Sequence, residues 1–350
     1  MSKKISFIIP NQLGGAESVT LSFAKILNAN VFDVEIIVAG DNNRILKEDY
    51  DLRCSFLLIK KFKFSVYKFY SLIKRQKSNI FFTSLHGIAF SLIIASLFQR
   101  KAKIIVRQSF MPNRYSKYSL TTIGIRLLYS RVYKLIAQTQ EMKQMMIEYY
   151  KLNPGKIKIL NNPLDYETIH NGIKEMNPFK EIKGLKFITV GNIRYVKGHD
   201  TLIKAFKIVK DKFPDSNLFI IGNFSQTDEY FLEMQNWNEV NNMRASVHFT
   251  GFSNNPYKYI YNSDCFVLPS RSEGLPNVLL EAMYLKKPVV ATKCIPFIER
   301  VIEDGINGYK VEVENEEKMA EAMIKAVNLQ VKETNYYNPA TEKEIIDIFQ

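Results

Sequence analysis

Short apolar runs alternate along this chain with longer stretches in which apolar positions return every three or four residues. The runs 5–9, 34–38, 80–83, 103–106, 135–137 and 157–160 lack the strict apolar–polar alternation of a strand with one wet face, so each predicts a strand buried on both sides. The stretches between them, such as 16–27 and 139–149, carry the helical period. Strand and helix in succession are βα units, which predicts the α/β class with a parallel sheet covered on both faces. Residues 187–190, 218–221, 247–250, 265–268, 289–291 and 308–311 repeat the plan in the second half. Between the halves, Asn161-Asn162-Pro163-Leu164-Asp165 joins turn formers to a proline that biases Asn162 away from helix, which reads as a hinge. The expected division is 1–163, 164–335 and a polar tail 336–350. Its last helical turns, around 341–349, are expected to cross back to the first domain.

Length agrees with two domains, because 350 residues exceed what one core comfortably organises. With 46% hydrophobic and 24% charged residues, global disorder is excluded. Cys54, Cys265 and Cys294 are widely spaced and form no CxxC pair, which argues against a disulfide framework and a zinc site and for a reducing compartment. The apolar run before Pro10 is too short for a secretory signal. Segment 88–98 has eleven residues against the roughly 20 of a membrane span, so it reads as a core helix. A cytoplasmic location without a membrane span is expected.

Charge divides the halves further. Residues 1–165 hold 26 Lys and Arg against 10 Asp and Glu, whereas residues 166–350 hold 22 against 25. A basic first half points to an anionic partner surface. Segment 60–75 interleaves Lys with Phe and Tyr, as an interfacial helix would, although the same pattern suits a surface helix whose aromatics are core.

In open parallel sheets ligands gather where strands run into helix N-termini, whose free N–H groups favour anions. Four such junctions carry unusual residues. Leu13-Gly14-Gly15-Ala16-Glu17 offers two glycines for close backbone approach, though a Gly-Gly pair also serves as a plain turn. In Val190-Gly191-Asn192-Ile193-Arg194-Tyr195-Val196-Lys197-Gly198-His199, Arg194 and Lys197 are placed to meet one diphosphate. In Pro269-Ser270-Arg271-Ser272-Glu273-Gly274-Leu275-Pro276-Asn277, Pro276 prepares a helix start. Glu273 precedes that start and Glu281 lies one turn beyond Asn277. Amides near Gly274, Leu275, Pro276 and Asn277 suit phosphate, while the two carboxylates suit sugar hydroxyls. The fourth junction holds His86, with Arg107-Gln108-Ser109 after the next strand; a lone histidine is also a common structural hydrogen bonder.

Gly14-Gly15-Ala16-Glu17, Lys197-Gly198 and the block from Pro269 through Lys287-Pro288-Val289-Val290-Ala291-Thr292 resemble the retaining glycosyltransferases of family GT4. The resemblance runs over nearly the whole chain. It takes in the Gly251-Phe252 turn, Glu299 and Gly305-Ile306-Asn307-Gly308-Tyr309. It implies the GT-B fold, two Rossmann-like doubly wound domains facing each other across a cleft, the first binding acceptor and the second a nucleotide diphosphate sugar. It further implies that Glu281 holds ribose hydroxyls, Glu273 and the 274–277 amides lie at the donor sugar and phosphate, Lys197 meets the diphosphate, and Gly14 and Gly15 close on it. The family's arginine after the strand glycine Gly191 is Asn192 here, which leaves Arg194 to supply the charge. A histidine that many members carry near the donor sugar falls where this chain has Arg107-Gln108-Ser109, with His86 as another candidate.

The reaction implied is transfer with retention from a nucleotide sugar, a UDP-sugar being the expected donor. No metal or other cofactor is expected, since no Asp-x-Asp motif or His cluster is present. The expected acceptor is a glycan or a polyprenyl-diphosphate-linked oligosaccharide at the inner face of the plasma membrane, reached by peripheral binding to anionic lipid. A nucleotide-sugar epimerase of the same fold would need no acceptor. A nucleotide- or nucleic-acid-binding module would suit the pI near 9.3, but carboxylates at the site oppose a polyanion, so no nucleic acid is expected. The first junction lacks GxGxxG, which disfavours a dehydrogenase.

Overall fold

The computed structural model describes residues 3–10, 14–30, 32–40, 53–58, 66–76, 78–99, 101–109, 111, 120–332 and 337–350. The chain divides into two compact units, Met1–Pro163 with Pro339–Gln350, and Leu164–Asn338. Each carries one wholly parallel sheet.

In the first unit the strands are β1 (Lys4–Pro10), β2 (Asp33–Gly40), β3 (Arg53–Leu58), β4 (Ile80–Thr83), β5 (Lys103–Arg107), β6 (Lys134–Ala137) and β7 (Ile157–Ile159). They lie in the order β3-β2-β1-β4-β5-β6-β7. Neighbouring residues of one strand point to opposite faces, so two cores form. Phe7 and Phe82 enter one core and Ile8 and Phe81 the other. Helices α2 (Val66–Arg75), α3 (His86–Ser96), α4 (Leu120–Leu128) and α5 (Gln140–Tyr150) cover the Ile8 side, while α1 (Gly15–Ala29) covers the Phe7 side. The strand β3 was not among the sequence-based expectations. Its six residues begin on Arg53 and occupy the sheet edge beside β2 alone, where a long apolar run is not required. In α2, Phe69 and Ile73 are buried while Tyr67, Lys68, Lys74 and Arg75 are exposed, so part of the basic-aromatic segment serves the core; its portion 60–65 lies outside the described residues.

The second unit contains α6 (Tyr166–Gly172), β8 (Lys186–Val190), α7 (His199–Lys212), β9 (Asn217–Ile221), α8 (Glu229–Val240), β10 (Val247–Gly251), α9 (Tyr257–Asn262), β11 (Cys265–Leu268), α10 (Asn277–Tyr284), β12 (Val289–Thr292), α11 (Pro296–Val301), β13 (Gly308–Val311) and α12 (Glu316–Ala326). Its sheet order is β10-β9-β8-β11-β12-β13. Helices α7, α8 and α12 pack on one face through Leu202, Phe206, Phe231, Met234, Met319 and Met323. On the other face Phe179 lies 4.4 Å from Phe219, with Tyr259 of α9 beside it.

The closing helix α13 (Glu342–Phe349) returns to the first unit and shares the Phe7 core with α1. Thr341 and Glu344 cap each other's backbone N–H at its start, which fixes its entry. Phe349 is buried with its ring 5.7 Å from both Phe7 and Phe82. Emptying that position leaves a cavity that the sheet cannot close. Phe349→Ala is therefore expected to destabilise the first unit by about 3 kcal/mol, read as a lower urea midpoint in far-UV circular dichroism.

Candidate active site

Strands β8 and β11 are neighbours, yet the helices that follow them, α7 and α10, pack on opposite faces of the sheet. The connections therefore diverge between the carboxyl ends of these two strands and leave a crevice, the usual binding point of an open parallel sheet. Loop 191–198 lines one side of it and loop 269–276 the other.

The two loops meet through a glycine. Gly198 has φ +65°, and a Cβ there would stand 2.1 Å from the Pro269 carbonyl oxygen, so no larger residue permits the contact. Lys197 closes a tight turn through its N–H to the Arg194 carbonyl at 2.8 Å, and its stem runs along Gly191. Lys197 Nζ then donates to Glu273 Oε1 at 2.8 Å, and Ser270 Oγ donates to the same oxygen at 2.6 Å. The lysine side chain keeps 30% of its exposure, so its cation is partnered and still reachable.

Gly274, Leu275 and Pro276 are buried and lead into α10, which begins at Asn277 with Pro276 at the capping position and no side-chain cap. Glu281 lies one turn on. Its carboxylate has no hydrogen bond or ion pair among the described residues, and burial, with Asp165 nearby, pushes its pKa up to about 7. An acid left in this condition costs free energy in the folded chain, which is typical of a group kept for a ligand. Arg194 is exposed and enters no ion pair among the described residues. Asn192 accepts a hydrogen bond from the Asn223 N–H at 3.0 Å and so fixes the loop after β8 to that after β9. Of the two cations expected at the diphosphate, only Lys197 is set against Glu273.

The first unit has the corresponding divergence between β1 and β4, followed by α1 on one face and α3 on the other. Gly14 precedes α1 without a side-chain cap, Glu17 lies against it, and the position of a Cβ on Gly15 has no atom within 4 Å; Leu13 lies outside the described residues. The hydroxyls of Thr20 and Ser84, 2.9 Å apart, join this loop region to the start of α3. His86 opens α3, with Nδ1 against the buried Tyr129 hydroxyl. Burial draws its pKa down to about 4, leaving a neutral imidazole at pH 7.

Arg107 and Gln108 have structural partners. Arg107 Nη2 donates to Asn162 Oδ1 at 2.5 Å, and Gln138 Nε2 donates to the Gln108 carbonyl at 2.7 Å, which ties β5 to β6 and to the residue before Pro163. Ser109 Oγ donates to the Ser84 carbonyl at 3.1 Å. Among the described residues, no three His, Cys, Asp or Glu side chains gather where they could hold a metal, and no helix is long and apolar enough to cross a membrane. Sequence reasoning missed the set Asp200, Tyr230, Arg271 and Glu314, whose members come from four separate elements and bond to one another around the turn that carries Lys197.

The family model described as Glycosyltransferase Family 4 matches residues 13–168, and that described as Glycosyl transferases group 1 matches residues 174–344. The capsular polysaccharide biosynthesis glycosyltransferase CapH of Staphylococcus aureus is 31% identical over 279 residues, covering 77% of this chain and 75% of that protein. The N-acetylgalactosamine-N,N'-diacetylbacillosaminyl-diphospho-undecaprenol 4-alpha-N-acetylgalactosaminyltransferase of Campylobacter jejuni is 27% identical over 343 residues, covering 92% and 89%. Among solved structures, HepE of Anabaena in complex with UDP and glucose superposes with a TM-score of 0.77 at 18% identity, covering 93% of this chain and 92% of that one, which supports the GT-B fold. Two diverging βα crevices, matching family models over both halves and this kinship together lead to one conclusion: the chain belongs to the family 4 glycosyltransferases.

Proposed function

We propose that this glycosyltransferase takes a sugar from a UDP-sugar, with retention at the anomeric carbon, and transfers it to a hydroxyl of a glycan or of a polyprenyl-diphosphate-linked oligosaccharide in cell-surface polysaccharide synthesis. One observation carries the reading: Lys197 and Glu273 meet at the crevice of the second unit, beside a helix start that no side chain caps. A diphosphate can take Lys197 from Glu273, which frees that carboxylate to accept from a sugar hydroxyl. Glu281 would take the ribose hydroxyls and, in doing so, gain the partners it lacks. The UDP bound by the HepE neighbour and the lipid diphosphate named for the Campylobacter relative support the choice of donor and acceptor.

In the transfer step the bond from the anomeric carbon to the diphosphate breaks and a bond to the acceptor oxygen forms on the same face. The acceptor proton passes to a departing phosphate oxygen. Lys197 and the amides from Gly274 to Asn277 stabilise the charge that develops there, so catalysis is positioning and electrostatics without a metal ion being invoked. In this reading the glycines Gly14 and Gly15 approach phosphate, and neutral His86 hydrogen-bonds a sugar or acceptor hydroxyl. Arg194, at the surface, would add charge only once a ligand is bound.

A membrane-bound acceptor also calls for a docking face. Helix α4 exposes Leu120 (89%), Ile123 (44%) and Leu127 (66%) along one stripe, and Tyr67 and Phe98 stand out from the same helix layer. The layer of α1 and α13 on the opposite face exposes no large hydrophobic among the described residues. The stripe belongs to the basic half of the chain, which suits an anionic lipid surface.

Lys197→Ala and Glu281→Ala are each expected to lower nucleotide release from UDP-sugars by at least 10²-fold, on the order of 3 kcal/mol; wild-type turnover of either would refute the site. Glu281→Gln should lose turnover as well, yet stabilise the unliganded protein above pH 7. The sign follows from the raised pKa: the carboxyl contributes its full stability below about 4.5 and loses it as pH rises through about 7, a loss that glutamine does not suffer. Melting temperatures across that range check it. Replacing Leu120, Ile123 and Leu127 by Ser should abolish co-sedimentation with vesicles rich in anionic lipid and leave soluble-acceptor turnover intact. Equal sedimentation of variant and wild type, or wild-type binding that ignores lipid charge and salt, would count against the docking face.

A further inference from the structure

We infer that Arg271 is a positioning residue that holds Lys197 at the diphosphate site from behind; this rests on the donor-site reading above. Arg271 stands two residues before Glu273 and faces away from it into a ring of partners. Its Nη1 and Nη2 grip Asp200 Oδ1 and Oδ2 at 2.8 and 2.7 Å, a two-pronged contact at the start of α7. Nε donates to Glu314 Oε1 at 2.5 Å, and Nη1 also donates to the Tyr195 carbonyl at 2.6 Å. The guanidinium carbon Cζ lies over the Tyr195 ring, 3.9 Å from its centre, and the Arg271 N–H donates to the Val196 carbonyl at 2.8 Å.

These contacts close around one residue. Tyr195 and Val196 immediately precede Lys197, and Asp200 follows it by three. The outer ring is braced in turn, because the Tyr230 hydroxyl donates to Asp200 Oδ1 at 2.5 Å and the Tyr195 hydroxyl to Glu314 Oε1 at 3.3 Å. Arg271 thereby ties the turn 194–198 to the very loop that carries Glu273, and adds its side-chain contacts to the backbone contact at Gly198 that sets Lys197 beside Glu273.

The arrangement also separates roles by charge. Asp200, at the start of α7, would repel an approaching diphosphate. Burial works against its ionisation, but hydrogen bonds from Arg271 and Tyr230 outweigh that and hold its carboxyl below the usual range, as an anion whose charge Arg271 answers. Arg271 is itself committed to Asp200 and Glu314, with a side chain only 13% exposed, and so acts through Lys197 and not on the ligand. A lysine at 271 would keep the charge but lose the planar fork and the ring contact.

The test is a double-mutant cycle read as affinity for UDP by titration calorimetry, with GDP in parallel, on the full chain. Arg271→Lys should weaken UDP binding by about tenfold in the wild-type background and have no further effect when Lys197 is already Ala, since a misplaced group that is absent cannot be misplaced further. Glu314→Gln, which loosens one arm, should show a smaller loss with the same non-additivity. Equal losses with and without Lys197, or unaltered binding in Arg271→Lys, would overturn the inference and leave the donor site standing. If Lys197→Ala binds both nucleotides as the wild type does, or the wild type binds neither, the donor-site reading fails and this inference with it.

Discussion

The contact between Lys197 and Glu273 depends on a reversal in strand order. Because β8 feeds α7 on one face and β11 feeds α10 on the other, two loops must part at adjacent strand ends, and a cation from one meets a carboxylate from the other. Everything local serves that meeting. Gly198 lets the backbones touch, Ser270 adds a donor to the acid, and Gly191 leaves room for the lysine stem. A protein built only for stability would have little reason to leave a lysine partly exposed in this crevice, or to keep Glu281, one turn into α10, without a partner among the described residues.

The two units use one architectural device for different ends. In the second, polar side chains converge on the crevice and are partnered with one another or left open to a ligand. In the first, buried hydrogen bonds of Thr20 with Ser84 and of Arg107 and Gln138 with Asn162 tie the strand ends together, and Leu120, Ile123 and Leu127 stand exposed on α4.

Much of the fold was legible in the chain. A strand buried on both faces must be apolar almost throughout, so twelve of the thirteen strands among the described residues announce themselves as runs; β3, which opens on Arg53-Cys54-Ser55 before its apolar residues, is the exception. The candidate site was legible in part. Glycines and prolines at strand ends mark where backbone must turn or be approached, and this drew attention to Gly198, Gly274 and Pro276. Arg194 and Lys197 looked equivalent by spacing, whereas the turn between them leaves Arg194 outside and brings Lys197 in.

What the sequence determined by itself is periodicity and local backbone chemistry: the α/β class, the repeated plan and the junctions where chemistry could sit. Tertiary structure alone decided the partners. Arg271 and Asp200 are 71 residues apart, Arg271 and Glu314 are 43 apart, and nothing in their neighbours along the chain distinguishes them from solvated charges. Likewise, Phe69 is core and Leu120 is surface although both belong to amphipathic segments of the same basic half. The reason is physical: hydrogen-bond and packing partners of a parallel sheet are set by which strands lie side by side, and that order is a property of the whole chain's packing.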